Sequence, residues 1–144
     1  MVCANRGHKY RRQVWSKYGE KSAIWRCEDR FKLGKKSICL YSPTLREDDL
    51  HKAIMKAINE VIDNKDNFIS TFRSNMLEVI AGYNNEINKK EITKANEILS
   101  NINTNLLTFD QELVKRLIES IKVNRNNVIE IIFYCGIVVN EKVE

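Results

Sequence analysis

Cys3–Arg12, CANRGHKYRR, has the outline of a zinc knuckle: a cysteine, a tight turn closed by Gly7, then a basic strand. A knuckle supplies two thiolates from one turn, because zinc in small ribbons takes four N or S ligands in a closed tetrahedron. The second thiolate belongs at position 6, and that residue is Arg6. The turn is therefore either a metal site short of one ligand or an ordinary turn beside small buried cysteines.

The other cysteines leave both readings open. Cys3, Cys27 and Cys39 fall in the first third of the chain, while Cys135 stands alone near the C-terminus as a packing or exposed thiol. A reducing compartment favours metal ligands or buried apolar residues over disulfides. Three thiolates make Cys3, Cys27 and Cys39 the candidate zinc ligands, and His8 is the nearest candidate for a fourth. His51 falls early in a helical stretch and reads as a surface residue. Neither histidine comes with an orienting third group or an oxyanion donor, and no glycine-rich phosphate loop is present, so no enzymatic activity is expected.

Charge divides the chain. Its 144 residues carry a net charge of +5, with 43% hydrophobic and 30% charged residues. Residues 1–46 hold 12 Lys and Arg against three acids, Glu20, Glu28 and Asp29, and the remainder holds 12 against 16. A strongly basic head on a mildly acidic body points to a polyanionic partner. No apolar run approaches the roughly 18–20 residues that span a bilayer. No export signal is evident, so a cytoplasmic protein without membrane contact is expected.

Patterning predicts an α+β fold: a small ribbon-like antiparallel β head, three to four helices, and a C-terminal β-hairpin packed back on them. KYRRQVW (9–15) and AIWRC (23–27) read as a hairpin around Gly19, with Tyr10, Val14, Ile24 and Trp25 as its thin apolar face. Thr44 and Glu47 form a capping-box pattern before Leu50, Ala53, Ile54, Ala57, Ile58, Val61 and Ile62. Further helices are expected over 65–81 and 89–107. Thr108 and Gln111 repeat the capping pattern before Leu113, Val114, Leu117, Ile118 and Ile121. The tail NVIEIIFYCGIVVNE is β-rich with a turn at Gly136, and 124–127 is expected to turn before it. The resulting division is 1–46 basic head, 47–121 helical region with a shortened coiled-coil segment, and 122–144 C-terminal hairpin.

Taken together, CANRGHKYRRQVW (3–15), AIWRC (23–27), Cys39 with LYSPTL and EDDL after it, and FDQELVKRLIESIKV (109–123) before a hairpin resemble one family. It is the C-terminal zinc β-ribbon region of large serine recombinases, the site-specific integrases and transposases of phages and mobile elements. The resemblance implies a zinc ion held by a Cys-x-x-Cys knuckle, the cysteine after the tryptophan, and a later cysteine. Here these positions are Cys3, Arg6, Cys27 and Cys39, so the knuckle is one with its second ligand replaced and zinc binding is weakened. The family also inserts an arm of two long antiparallel helices that pairs recombinase subunits. Residues 82–108 would span at most about 40 Å as one helix, too short for such an arm. The family's catalytic domain has no counterpart in the sequence, so the chain is not expected to cut or rejoin DNA.

The resemblance implies a detached or decayed recombinase end that binds double-stranded DNA in the major groove. Lys9, Arg11, Arg12, Lys17, Arg26, Arg30, Lys35 and Lys36 are the candidate contacts. Two other classes compete: a helical module that docks on a recombinase subunit with no DNA affinity of its own, and an RNA-binding ribbon using Tyr10, Trp15, Tyr18 and Trp25.

Overall fold

Ile129, Ile131 and Phe133 alternate along one strand, and the sheet built on that strand organises the C-terminal half. The computed structural model describes residues 1–17, 19–64 and 108–144. The helices expected over 65–81 and 89–107 lie outside these residues, as do Tyr18 and the side chain of Lys17. In chain order the described elements begin with β1 (Val2–Cys3), β2 (Tyr10–Lys17), β3 (Glu20–Cys27) and α1 (Glu28–Leu33). A 3-10 turn (Gly34–Lys36), β4 (Leu45–Arg46), α2 (Glu47–Asp63) and α3 (Gln111–Leu117) follow. The chain then runs through β5 (Ile118–Val123), a second 3-10 turn (Arg125–Asn127), β6 (Val128–Phe133) and β7 (Val138–Lys142). The fold is α+β, as the patterning predicts. No described helix is long and apolar enough to cross a membrane.

Two sheets share the work. The ribbon sheet has the order β2-β3-β4, and the larger sheet β1-β5-β6-β7. The N-terminal strand thus joins the C-terminal sheet: Val2 and Cys3 pair in parallel with Lys122 and Val123. The Ala4 N–H extends that ladder by donating to the Val123 carbonyl at 3.0 Å.

The ribbon hairpin is longer than its sequence suggests. Pairing runs without a break from Tyr10↔Cys27 to Lys17↔Glu20, so the polar stretch around Gly19 is strand almost to its tip. Gly19 turns the corner with φ +84, where a residue with a Cβ is strained. The expected apolar face divides in two. Residues directly opposite share a face, so Tyr10, Val14 and Trp25 lie on one side and Ile24, opposite Gln13, on the other. Tyr10 and Ile24 are buried, but Val14 is 55% exposed because the hairpin tip stands clear of the body.

The last helix ends early. Ile118 and Ile121 continue the helical spacing of Leu113, Val114 and Leu117, yet the helix stops at Leu117 and Ile118 begins β5. Ladder pairing with β6, from Ile118↔Phe133 to Val123↔Ile129, outweighs a weak helical preference of β-branched residues. The cap is Asp110 rather than Thr108: its carboxylate accepts from the Glu112 and Leu113 N–H groups. Arg46 holds the N-cap position of α2 and gives it no side-chain cap.

Leu50, Ala53, Ile54, Ala57, Ile58 and Val61 form the buried stripe of α2, in one cluster with Leu117, Ile129, Ile131 and Phe133. Lys56 on α2 pairs at 2.8 Å with Glu141 on β7, whose carboxylate is almost wholly buried. Phe133 is 1% exposed at the centre of this packing. Phe133→Ala is expected to cost about 3–5 kcal/mol, a large share of a domain's usual 5–15 kcal/mol. Chemical denaturation of the two proteins measures it.

Candidate metal centre and basic surface

Three separate pieces of backbone bring the sulfurs together. Cys3 ends β1, Cys27 ends β3, and Cys39 follows the 3-10 turn after α1. Gly7 donates to the Cys3 carbonyl at 2.8 Å with φ +70, and the Cys3 N–H donates to the His8 carbonyl at 2.8 Å. These bonds make the knuckle turn. The sulfurs of Cys3, Cys27 and Cys39 all lie within 4.8 Å of one another, and Cys3 Sγ is 3.9 Å from Cys39 Sγ. Zinc–sulfur bonds of about 2.3 Å give a tetrahedral edge of about 3.8 Å. The donor set therefore fits a zinc ion in both chemistry and spacing. Burial, and then the neighbouring Cys27 and Cys3, push the Cys39 thiol up to about 12. Such a group keeps its proton unless a cation replaces it, as a bound metal does to a coordinating thiol.

Arg6, at the replaced knuckle position, is exposed. His8 is half-buried with Nδ1 3.3 Å from Cys39 Sγ. His8, Asp29 and Cys39 form a second donor group that shares Cys39 with the first. Ser37 Oγ donates to Asp29 and accepts from the Cys39 N–H at 2.9 Å. Cys135 is buried away from both groups, and burial raises its thiol.

The basic residues separate by what they touch. Arg12 makes two bonds to the Glu47 carboxylate, at 2.6 and 2.7 Å, and the Trp25 indole N–H donates to the same carboxylate at 3.0 Å. This node fixes the start of α2 to the ribbon. Arg30 donates to the Ser42 carbonyl, in the loop where the Tyr10 hydroxyl donates to Pro43 at 2.9 Å. Arg11 pairs with Glu28 at 2.9 Å but is mostly exposed, and it faces Arg26 across the ladder. Arg26 Nε is buried with no hydrogen-bond partner among the described residues. Lys9, Lys35 and Lys36 are exposed and make no ion pair among the described residues. The Glu47 node and the Asp29–Ser37 contacts escape a reading of the sequence, because their partners lie up to 35 residues away.

Arg12 holds the Glu47 carboxyl below the usual carboxylate range, outweighing burial, with help from Trp25. A depressed folded pKa means the node stabilises the fold above the unfolded value of about 4.3 and loses that contribution as pH falls through the folded value. Glu47→Gln is expected to lower the melting temperature at pH 7 and to flatten its decline below about pH 4.3. Thermal unfolding of both proteins at pH 7 and pH 3 checks this.

Residues 1–59 match the recombinase zinc beta ribbon domain. The match runs from β1 through most of α2 and includes all three sulfurs of the cluster. A chain in a solved structure described as "Crystal Structure of a LSR-DNA Complex", LSR being large serine recombinase, has the same fold. The TM-score is 0.57 at 18% identity, over 92% of this chain and 53% of that one. This chain thus spans about half of that protein's length. No curated protein matches it. Family and fold agree on the recombinase zinc-ribbon region that the sequence resembles.

Proposed function

We propose that the chain is a DNA-binding module of the large serine recombinase type, in which the ribbon contacts duplex DNA and does not cut it. The observation that carries this reading is the match of residues 1–59 to the recombinase zinc beta ribbon. The fold neighbour, described as a complex with DNA, supports it. So do Lys9, Lys35 and Lys36, exposed cations with no ion pair among the described residues, which leave positive charge open to an anionic ligand.

Lys9, Arg11, Arg26, Lys35 and Lys36 form the proposed contact set, with Lys17 at the hairpin tip. Arg12, with two bonds to Glu47, and Arg30, bonded to the Ser42 carbonyl, act by keeping the ribbon in shape, whereas Arg11 makes one contact with Glu28 and stays mostly exposed. The basic head 1–46 is the binding element. The body that follows, including the C-terminal hairpin, is its support and a docking surface for recombinase subunits.

Cys3, Cys27 and Cys39 would hold a structural zinc ion, which supplies a closed coordination shell in place of a larger apolar core. The protein's own part is to deliver the three sulfurs from β1, β3 and the Cys39 loop, and to keep solvent from them. Titration of the full chain into a labelled duplex, followed by fluorescence anisotropy, tests the reading. Binding that appears at low salt supports it. Failure to bind at low salt favours a module that docks on protein alone.

A further inference from the structure

Arg6 leaves the zinc shell one donor short, and the molecule offers a replacement on the other side of the turn. We infer that His8 is the fourth ligand, completing Cys3, Cys27 and Cys39, and that Asp29 positions its ring. The inference rests on the zinc reading above.

Backbone contacts clamp His8 between the ligand-bearing segments. Its carbonyl accepts from the Cys3 N–H, and the next residue, Lys9, accepts from the Glu28 N–H at 2.9 Å, one residue past Cys27. The side chain approaches the third sulfur, with Nδ1 3.3 Å from Cys39 Sγ. His8, Asp29, Ser37 and Cys39 thereby close a ring of contacts, from imidazole to sulfur, Cys39 N–H to serine, and serine to carboxylate. The ring lies near Cys39 but not within 4.8 Å of all three sulfurs, so completing the shell takes a shift toward the other two.

Charge chooses among the donors within reach. Zinc with three thiolates carries a net charge of −1, and a neutral imidazole leaves that unchanged. A carboxylate would raise it to −2 in a buried site, which is costly. Asp29 is also held already, by Ser37. Water is disfavoured because all three sulfurs are buried. Asp29 suits the outer role, since histidines bound to metals usually donate their other ring N–H to a carboxylate, carbonyl or water.

The test adds zinc alone to the reduced full chain and follows ring nitrogens by two-dimensional NMR. His8 and His51 are the two histidines, and His51, stacked on Phe109 with ring centroids 3.6 Å apart, is the internal control. The expected result is a zinc-bound shift of one His8 nitrogen with His51 unmoved. Chelator competition should show Asp29→Asn losing zinc affinity on the order of 10–100-fold, with a changed shift at the second His8 nitrogen, and His8→Ala losing more. His8→Cys should bind cobalt with a four-thiolate spectrum, which keeps the inference testable if His8→Ala misfolds. Zinc retained with the His8 ring unmoved and affinity unchanged in His8→Ala overturns the inference and leaves the three-thiolate site standing. A wild-type chain that holds no zinc overturns both.

Discussion

Cys27→Ser is expected to strip zinc from the ribbon and to unfold β2 and β3 while leaving the C-terminal sheet paired. Cys27 is 0% exposed, ends β3, and pairs with Tyr10 at the base of the hairpin. Its sulfur lies within 4.8 Å of both Cys3 and Cys39, so its loss leaves two thiolates of the three. Structural zinc contributes about 10–16 kcal/mol of apparent folding energy in small finger peptides. That rivals the roughly 5–15 kcal/mol of net stability in a whole domain. The hairpin has little to set against such a loss, since Val14 and Trp15 are exposed and its buried apolar residues are few. The other sheet keeps Ile129, Ile131 and Phe133 against Ile58 and Val61. Loosening should reach β1, because Cys3 is both a cluster sulfur and the partner of Val123. Zinc analysis after gel filtration and amide hydrogen exchange measure the two effects. A variant that keeps one zinc per chain and wild-type protection in β2 and β3 would remove zinc from the account of folding.

What the sequence discloses depends on how locally each feature is determined. The stripe of α2 and the alternation in β6 are readable because burial imposes a period on a single element. The tail turn at Gly136 is readable because its φ of +82 suits glycine. The end of α3 is not, since Ile118 and Ile121 satisfy a helical spacing as well as a strand, and only β6 decides between them. The parallel pairing of β1 with β5 is invisible for the same reason: it joins residues about 120 positions apart through two short segments. The three cysteines announce a donor set, but not the contacts that give His8 and Asp29 their place beside Cys39. Arg12 shows the limit most clearly. Its sequence neighbours mark it as one of a basic pair, while its guanidinium is committed to Glu47 on another element.

That distinction between basic residues sets the second large effect, on DNA. Affinity of the full chain for a non-specific duplex is expected to fall on the order of a hundredfold between 50 and 200 mM salt. Neutralising three or four phosphates releases their counterions, giving a log–log slope of about −3 to −4 at roughly −0.9 per contact. Lys35 and Lys36 follow one another in an exposed 3-10 turn with no ion pair among the described residues, so they are free to meet phosphates. Replacing both by Ala should make the slope shallower by up to about 1.8 with no change in melting temperature. Arg12→Ala should do the reverse. Its loss leaves the Glu47 carboxylate with the Trp25 N–H but without its guanidinium, so the melting temperature falls while the slope changes little. Anisotropy titrations at four salt concentrations, paired with thermal unfolding of each variant, separate the two roles. Equal slopes for wild type and the double lysine variant would take Lys35 and Lys36 out of the interface. Binding that ignores salt altogether would take phosphate contacts out of the interface, and no binding at the lowest salt would point toward a module that recognises only protein.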